Sequence, residues 1–571
     1  MKLLEQFNYR ELPPVLSTDA MRALDAATKE EMARDAGDGS TAVDAGYRLM
    51  KQAGAALYRH VVDVLGNMDG APGQGAPRKA VAVFVGGGNN GGDGLVLAKL
   101  LIEAGIPCTV YSLAAAEKFK NEAKLALEDF VLAGGRLVPY TGASLHGGLL
   151  GLPGRRAAAA SAFSLVVDCM LGNGASGELR ELYAAAVRDI GDWNVPVVAA
   201  DAPTGYDSRE HLRREPCINA VETVLFGFPR LDAYVREGGK VFGRAMVAPL
   251  AYPDSLVSKF DEKVYLATES LIPQLLPERN EWGDKREQGC AMIVAGSGNM
   301  PGAAVLCTRA ALRSGVGLVT LASPEAVMPV LQAKLSEPVF CNLQDMAGQD
   351  ADSVDDRAMA LAPAHIPQIL EKAKHCHALA IGPGLSGAEC TRDAVLELLP
   401  KIKCPMVIDA DALNAIASLN KTVASTTSGA ASFLRGIAIP AVLTPHRREC
   451  ERLFGPLPAS SIDFPAHLRN IAQITNKVLL LKGAPTFVAI PDGRVYVVPA
   501  CNSGLAKGGS GDVLTGIIVA LLSQGLAPLE AAVLGALLHQ KAGKITRDEL
   551  GPYSMLPGDI VKRISRATIA P

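Results

Sequence analysis

Short apolar runs that end in Gly- or Asp-rich turns alternate with amphipathic stretches through the first half of the chain. The runs occupy residues 81–85, 108–111, 165–167 and 195–200. They lack the polar alternation of a half-exposed strand, which indicates parallel strands buried on both faces of a sheet. Amphipathic periodicity predicts accompanying helices at residues 21–36, 42–65 and 95–104. This alternation is typical of an α/β layer structure.

A second series of the same kind fills the rest of the chain. Its predicted strands lie at residues 291–294, 318–321, 378–381, 406–408, 441–443 and 478–481, and its clearest helices at residues 303–314 and 513–522. A short polar stretch interrupts the pattern at residues 250–262, where we place a domain boundary. We therefore predict two tandem three-layer αβα domains, residues 1–255 and residues 256–571.

Composition and charge exclude several classes of protein. Of the 571 residues, 49% are hydrophobic and 20% are charged, which does not suit a disordered chain. A formal net charge of −3 indicates no basic surface for nucleic acid. The 11 cysteines include no C-x-x-C pair, which predicts free thiols in a reducing compartment. We find no signal peptide or membrane span, so we expect a cytoplasmic protein without membrane contacts. We also expect a homo-oligomer.

The first Gly-rich turn, residues 86–94, follows the predicted strand 81–85 and precedes a predicted helix. Backbone N–H groups at such a helix start favour an anion. The turn contains Gly-x-Gly-x-x-Gly, and we expect a Rossmann-like domain. No acidic residue ends the next strand to hold a ribose, which disfavours an ordinary dehydrogenase. A purely structural turn stays open for this loop taken alone.

Two carboxylates follow neighbouring predicted strands. Asp168 ends the run 165–167, and Asp201 ends the run 195–200. Ligands of open α/β sheets bind at the carboxyl ends of the strands, so both should face the Gly-rich turn. Oxygen atoms of Asn90, Asp168 and Thr204 could then converge on a hard cation. As isolated residues, strand-end aspartates are often helix N-caps instead.

Three strings in this region, GGGNNGGDGLVLAKLL, VVDCMLGNG and AADAPTG, resemble the NAD(P)H-hydrate epimerase domain over about residues 18–250. The resemblance implies that Asp201 is the acid/base group and that K⁺ is held by Asn90, Asp168 and Thr204. It implies a hydrate site made of Asn89, Asn90, Gly91, Gly92, Asp93, Gly172, Asn173, Gly174, Ala175, Ser176, Gly177, Glu178 and Asp201. The second turn departs from the family's Gly-Thr-Gly-Leu-x-Arg pattern, and Arg180 could replace the lost arginine.

The strongest feature of the second half is the string NSGLAKGGSGDVLTG at residues 502–516. Small residues precede a long apolar helix there, so several N–H groups and the helix dipole face one point. Asp512 stands beside this anion site as a carboxylate able to take a proton. Phosphoryl transfer to a hydroxyl needs that combination. No Walker sequence occurs in the chain, and a purely structural turn is the alternative.

Further turns follow buried strands and can face the same crevice. They are MPGAA at 300–304, IGPG at 381–384, DADALN at 409–414, TPH at 444–446 and LKGAPT at 481–486. With GLAKGGSGDVLTG, these strings resemble the ribokinase-like NAD(P)H-hydrate dehydratases over about residues 275–550. The resemblance implies hydrate contacts from Ala303, Gly384, His446 and Asp512. It implies adenine-nucleotide contacts from Lys482, Gly483, Ala484, Pro485, Thr486 and Gly511, and phosphoryl chemistry with Mg²⁺.

Together the two resemblances imply repair of hydrated NADH and NADPH. One domain would epimerise the R and S hydrates, and the other would dehydrate the S epimer at the expense of ADP or ATP. Two alternatives remain: a small-molecule kinase whose product stays phosphorylated, and an N-terminal domain that binds nucleotide without catalysis.

Overall fold

The computed structural model describes residues 12–36, 40–68, 80–142, 162–344, 359–421, 429–499 and 502–569. The chain divides into two compact units, and the division falls between Glu262 and Lys263. We call them the N-terminal unit, Pro13–Glu262, and the C-terminal unit, Lys263–Pro571. None of the helices in these described ranges is long and apolar enough to cross a membrane.

The N-terminal unit contains a seven-stranded sheet in the order β3-β2-β1-β4-β5-β8-β9 with every pairing parallel. Its strands are β1 Ala80–Val85, β2 Cys108–Ser112, β3 Leu137–Pro139, β4 Phe163–Cys169, β5 Val197–Ala200, β8 Glu222–Phe226 and β9 Arg244–Ala248. A small antiparallel pair, β6 Tyr206–Asp207 and β7 Leu212–Arg213, lies outside this sheet.

Helices cover both faces of this sheet. They are α1 Thr18–Ala36, α2 Ala42–Met68, α3 Asn89–Glu103, α4 Asn121–Leu132, α5 Glu181–Trp193, α6 Arg236–Phe242 and α7 Asp254–Val257. Alternate residues of β1 enter different cores: Val81 and Val83 join one cluster, whereas Ala82 and Phe84 join another. This two-sided burial explains why the run 81–85 is continuously apolar.

The C-terminal unit contains a ten-stranded sheet in the order β10-β19-β18-β17-β16-β15-β14-β11-β12-β13. Its strands are β10 Val264–Leu266, β11 Cys290–Val294, β12 Leu318–Pro324, β13 Val339–Leu343, β14 Ala378–Ile381, β15 Met406–Ile408, β16 Ala441–Leu443, β17 Val478–Leu481, β18 Thr486–Ala489 and β19 Val495–Val498. β18 pairs antiparallel with both β17 and β19.

The C-terminal helices include one that is buried along its length, α17 Ser510–Ser523. The others are α8 Ile272–Leu275, α9 Pro301–Arg313, α10 Met328–Lys334, α11 Ile366–Ala373, α12 Glu389–Leu398, α13 Ala410–Ala417, α14 Gly429–Gly436, α15 Arg447–Phe454, α16 Phe464–Thr475, α18 Pro528–Ser554 and α19 Pro557–Ala567. A Cβ at Gly516 would lie 2.2 Å from the carbonyl oxygen of Cys307, so α17 approaches α9 as closely as backbone allows.

The α/β fold class is confirmed, with three differences in detail. Helix α3 begins at Asn89 rather than near residue 95, so the Gly-rich string supplies its first turn. Asp168 lies inside β4 rather than beyond its end. The β17–β18–β19 segment is antiparallel, because only a few residues join β17 to β18 and a parallel crossover needs a dozen or more.

Two candidate active sites

A cavity of about 530 Å³ opens at the carboxyl edge of the N-terminal sheet. The residues predicted from sequence that line it are Asn89, Asn90, Asp93, Gly172, Asn173, Gly174, Ala175 and Asp201. Among the described residues, Gly91, Gly92, Ser176, Gly177 and Glu178 are not part of the lining. The sheet therefore brings the first Gly-rich turn, the second turn and Asp201 to one site.

Gly91 and Gly92 serve packing behind this cavity. A Cβ at Gly91 would lie 1.9 Å from the carbonyl oxygen of Gly86, and one at Gly92 would lie 2.6 Å from the Met50 side chain. No side chain caps α3 at Gly88. The glycines thus let the start of α3 lie against β1 while its first N–H groups face the cavity.

Asp201 lies just after β5, where its backbone N–H donates to the Val224 oxygen at 2.8 Å and three further hydrogen bonds hold it. Arg230 donates from Nη1 to Oδ1 at 2.6 Å and from Nη2 to the backbone oxygen at 2.5 Å. The backbone N–H of Asn173 donates to Oδ2 at 2.7 Å. Asp201 has a φ of +65°, in the left-handed region that a non-glycine residue adopts at a cost. Its carboxylate is therefore fixed at the cavity wall.

Asp168 is fully buried behind the cavity and is bound by Thr204. The Thr204 N–H and hydroxyl donate to its carboxylate at 2.7 and 2.8 Å, and the Met170 N–H donates at 3.1 Å. Burial raises its pKa to about 6, although the hydrogen bonds to Thr204 and Met170 oppose that rise. The predicted pair Asp168 and Thr204 is thus brought into direct contact.

Several cavity residues were missed by the sequence analysis. Helix α1 contributes Arg22, Asp25 and Lys29, and Tyr252 follows β9. The Tyr252 hydroxyl donates to Asp25 at 2.5 Å. Burial raises the pKa values of Asp25 and Asp93. The available signal was a polar stripe at intervals of three and four residues on α1.

The second turn has one arginine bound to it and another beside it. Arg180 is exposed and precedes α5. Arg22 instead donates from Nη2 to the backbone oxygen of Asn173 at 3.1 Å. The turn therefore has a guanidinium from α1, which nothing in its own sequence indicates.

The C-terminal candidate site centres on the start of α17. Gly509 precedes the helix with a φ of +97°, no side chain caps it, and Asp512 lies in its first turn. Burial, together with nearby Asp409, raises the pKa of Asp512 to about 7, and Lys482 opposes the rise. A carboxyl group that titrates near neutral pH at an anion-binding helix start can act as a base.

Lys482 lies near Asp512 and contacts two other carboxyl groups. Its Nζ lies 2.7 Å from Asp409 Oδ1 and 3.8 Å from a Glu449 oxygen. Asp409 accepts a second hydrogen bond, at 2.7 Å, from the Thr515 hydroxyl of α17. A Cβ at Gly511 would lie 3.3 Å from Lys482 Nζ. The predicted residues Lys482, Gly511 and Asp512 therefore share one site, to which Asp409, Glu449 and Thr515 are additions.

The remaining predicted residues lie around this site. A Cβ at Gly384 would lie 2.8 Å from Ala303 Cβ, so these two are in contact. Of the Lys482–Thr486 segment, Gly483 and Ala484 are exposed and Pro485 and Thr486 are buried.

His446 caps helix α15. Its Nδ1 accepts from the N–H groups of Arg448 and Glu449 at 3.1 and 3.3 Å. Burial lowers its pKa, with Glu449 opposing and Lys482 reinforcing that effect. The side chain is 47% exposed, which leaves its outer edge accessible.

Two αβα units with carboxyl groups and uncapped helix starts at the carboxyl edges of their sheets define a tandem α/β enzyme. Residues 46–231 match the family model described as YjeF-related protein N-terminus, and residues 291–566 match the NAD(P)H-hydrate dehydratase family model. The bifunctional NAD(P)H-hydrate repair enzyme Nnr of Moorella thermoacetica is 38% identical over 86% of this chain and 87% of that protein.

The Nnr protein of Thermofilum pendens is 32% identical over 91% of each chain. This chain therefore belongs to the family of bifunctional NAD(P)H-hydrate repair enzymes. A crystal structure of the ADP/ATP-dependent NAD(P)H-hydrate dehydratase from Bacillus subtilis, co-crystallized with ATP/Mg²⁺, is 29% identical and covers 52% of this chain and 96% of that one. Its TM-score of 0.42 is too low to support a structural argument.

The raised pKa of Asp512 predicts a pH-dependent cost to stability. The native state keeps the proton that the unfolded state loses at about 3.8, so stability falls as the pH rises from 3.8 to 7. We expect Asp512→Asn to increase the free energy of unfolding by roughly 2–4 kcal/mol at pH 8. The gain should shrink towards pH 5. Urea unfolding at both pH values measures it, with the exposed Asp548→Asn as the control; a gain equal at both pH values contradicts the assignment.

Proposed function

We propose that this chain repairs hydrated NADH and NADPH with one activity in each domain. Residues 1–255 epimerise the R and S hydrates, and residues 256–571 dehydrate the S epimer with ADP, or with ATP. The products are NAD(P)H, phosphate and AMP, or ADP when ATP is the donor. The observation that carries the proposal is Asp512, a carboxyl whose pKa is raised to about 7 at the uncapped start of α17. A cytoplasmic location and a homo-oligomeric state stay predictions.

The dehydration needs a better leaving group than hydroxide. The hydrate carries its hydroxyl on C6 of the nicotinamide ring, next to the ring nitrogen. Asp512 would take the proton of this hydroxyl while its oxygen attacks the terminal phosphorus of the nucleotide. The first-turn N–H groups of α17 and Lys482 would stabilise the transferring phosphoryl group. The ring nitrogen's electron pair then expels phosphate, and loss of a ring proton restores the reduced nicotinamide.

The nucleotide and the hydrate would be held by different residues of the C-terminal unit. Lys482–Thr486 and Gly511 would hold the nucleotide, and Ala303, Gly384 and His446 would hold the hydrate. In the described part of the chain, no three His, Cys, Asp or Glu side chains are placed to hold a metal ion. We therefore propose that Mg²⁺ binds mainly through the nucleotide phosphates, as this ion often does in phosphoryl-transfer enzymes.

Replacing the base separates the two activities. We expect Asp512→Asn to lower the dehydratase rate by about 10²–10⁴-fold, because the hydroxyl keeps its proton, and to leave epimerisation unchanged. In the native enzyme the rate should rise with pH through about 7, as Asp512 ionises. Return of reduced-nicotinamide absorbance from S-NADH hydrate measures both. Near-native rates in the variant would show that Asp512 is not the base, and a phosphorylated product that persists would favour the small-molecule kinase.

Epimerisation needs a group that takes up and returns a proton at the C6 hydroxyl. Asp201 lies at the cavity wall with its carboxylate fixed by Arg230 and Asn173. A carboxylate oxygen has two lone pairs, so Oδ2 keeps one for the substrate proton. The cavity would hold the hydrated ring beside Asp201 and the rest of the dinucleotide beside the starts of α3 and the second turn.

Loss of Asp201 predicts repair of only one epimer. We expect Asp201→Ala to recover the S share of a mixed NADH-hydrate sample at the native rate and the R share only at the spontaneous rate. The reason is that the C-terminal site accepts one configuration at C6. The measurement follows absorbance at a temperature and pH where spontaneous epimerisation is slow. Equal, fast recovery of both epimers would remove Asp201 from the mechanism.

Asn90, Asp168 and Thr204 are proposed to hold K⁺. They offer oxygen atoms as ligands, and among the described residues Oδ1 of Asn90 is buried without a hydrogen-bond partner, as expected of an oxygen that binds an ion. Bound K⁺ would supply a charge that favours the ionised form of Asp168. Asp201, and not the ion, would take up and return the substrate proton.

Potassium should then stabilise the N-terminal unit. We expect KCl to raise its calorimetric melting temperature above that in tetramethylammonium chloride of equal ionic strength, with a stabilisation of about 2.7 kcal/mol at one hundred times the dissociation constant. Asp168→Asn should abolish this salt difference, whereas the exposed Glu178→Gln should retain it. A salt difference that survives in Asp168→Asn places the ion elsewhere.

A further inference from the structure

Arg230 is a charged residue in the interior of the N-terminal unit. Arg230 follows β8 in the chain, and its side chain is 1% exposed. Its partners are Asp201 and, with Nε 3.6 Å from Oδ1, Asp232. A guanidinium removed from water to this extent is costly unless its partners compensate for the lost hydration. Arg230 is not among the residues that line the cavity in the described chain.

Arg230 contacts Asp201 through both of its terminal nitrogens. One terminal nitrogen binds the side-chain Oδ1 and the other binds the backbone oxygen of the same residue. The planar fork of a guanidinium suits two acceptors at a fixed separation, whereas an ammonium does not define that separation. The contact thus fixes the side chain of Asp201 relative to its own backbone.

That backbone needs to be held. Asp201 has a φ of +65°, and a non-glycine residue stays in this region only where its surroundings determine it. Besides Arg230, two contacts restrain it: its own N–H donates to the Val224 oxygen at 2.8 Å, and the Asn173 N–H donates to Oδ2 at 2.7 Å. With Oδ1 taken by Arg230, the oxygen on the side of Gly172 and Asn173 is Oδ2. These two residues line the cavity.

Three other carboxyl groups lie near Asp201, and the Arg230 guanidinium offsets their repulsion. Asp93 and Asp25 line the same cavity, Asp232 lies beside Arg230, and each of the three interacts repulsively with Asp201. Lys29 faces this group from α1 but is paired with Glu122 at 2.7 Å. Arg230 therefore supplies Asp201 with a cation in direct contact.

We propose that Arg230 is a positioning residue of the epimerase, which holds Asp201 in its left-handed conformation so that Oδ2 faces the substrate. This inference rests on the proposed function of the N-terminal unit. Arg230 would act through Asp201 and not touch the hydrate. A purely structural role for a buried arginine is the alternative, and it predicts loss of stability without a specific loss of turnover.

Three variants distinguish these roles. Arg230→Lys keeps the charge but loses the fork, Arg230→Gln loses the charge, and Asp232→Asn removes the other ionic partner of Arg230 while leaving Asp201 untouched. We expect kcat of epimerisation to fall about 10–100-fold in Arg230→Lys and further in Arg230→Gln, with KM changed less than about threefold. We expect Asp232→Asn to keep kcat within about twofold even where it lowers the melting temperature.

A fourth variant leaves Arg230 in place and guards against misfolding. Asp201→Glu keeps a carboxyl group but moves it one carbon beyond the bidentate contact, so we expect it to lose most epimerase turnover while the protein stays folded. Full activity of Asp201→Glu or of Arg230→Lys overturns the inference. So does a series in which kcat follows the melting temperature across all variants, Asp232→Asn included.

The same assays separate the inference from the proposed function beneath it. A native chain without epimerase activity, or an Asp201→Ala variant with full activity, overturns both. An active native chain and an inactive Asp201→Ala variant, together with an unchanged Arg230→Lys variant, overturn the positioning role alone. The dehydratase activity of every variant should stay native, which checks that the protein is intact.

Discussion

Both sites depend on carboxyl groups buried at the carboxyl edge of a parallel sheet, where ionisation is costly without a compensating cation or donor. In the N-terminal unit Asp201 has Arg230, and in the C-terminal unit Asp409 has Lys482. Asp512 lies near Lys482 but its pKa is still raised to about 7. This arrangement fixes Asp201 and Asp409 in place, whereas the pKa of Asp512 lies near neutral pH.

Close backbone contacts create the space for this chemistry. Gly91 lies against Gly86, which brings the start of α3 onto β1, and Gly516 lies against Cys307, which brings α17 onto α9. Each helix start then directs its N–H groups towards the crevice beyond the strands. Both sheets thus place a helix start beside carboxyl groups, and the partners of those carboxyl groups differ between the two units.

The strand-end argument predicted much of each site, because parallel strands place their carboxyl ends at one edge whatever their order. It predicted that Asp201 faces the first Gly-rich turn and that Lys482 and Asp512 face one crevice. It could not find Arg230 or Arg22, which reach their partners from segments 29 and 151 residues away in sequence. An arginine in a sequence looks the same whether it lies on the surface or in the interior.

The sequence by itself determined the α/β class, the two series of strands and the chemical groups available, because apolar periodicity and glycine spacing are local properties. Only the tertiary structure decided which groups meet and in what state. Asp168 lies near the end of β4 and Asp201 just after β5, yet one is enclosed by Thr204 with its pKa raised to about 6 and the other faces a cavity bound to a buried guanidinium. Burial and partner distance set the free energy of a charge, and both arise from the packing of segments far apart in the chain.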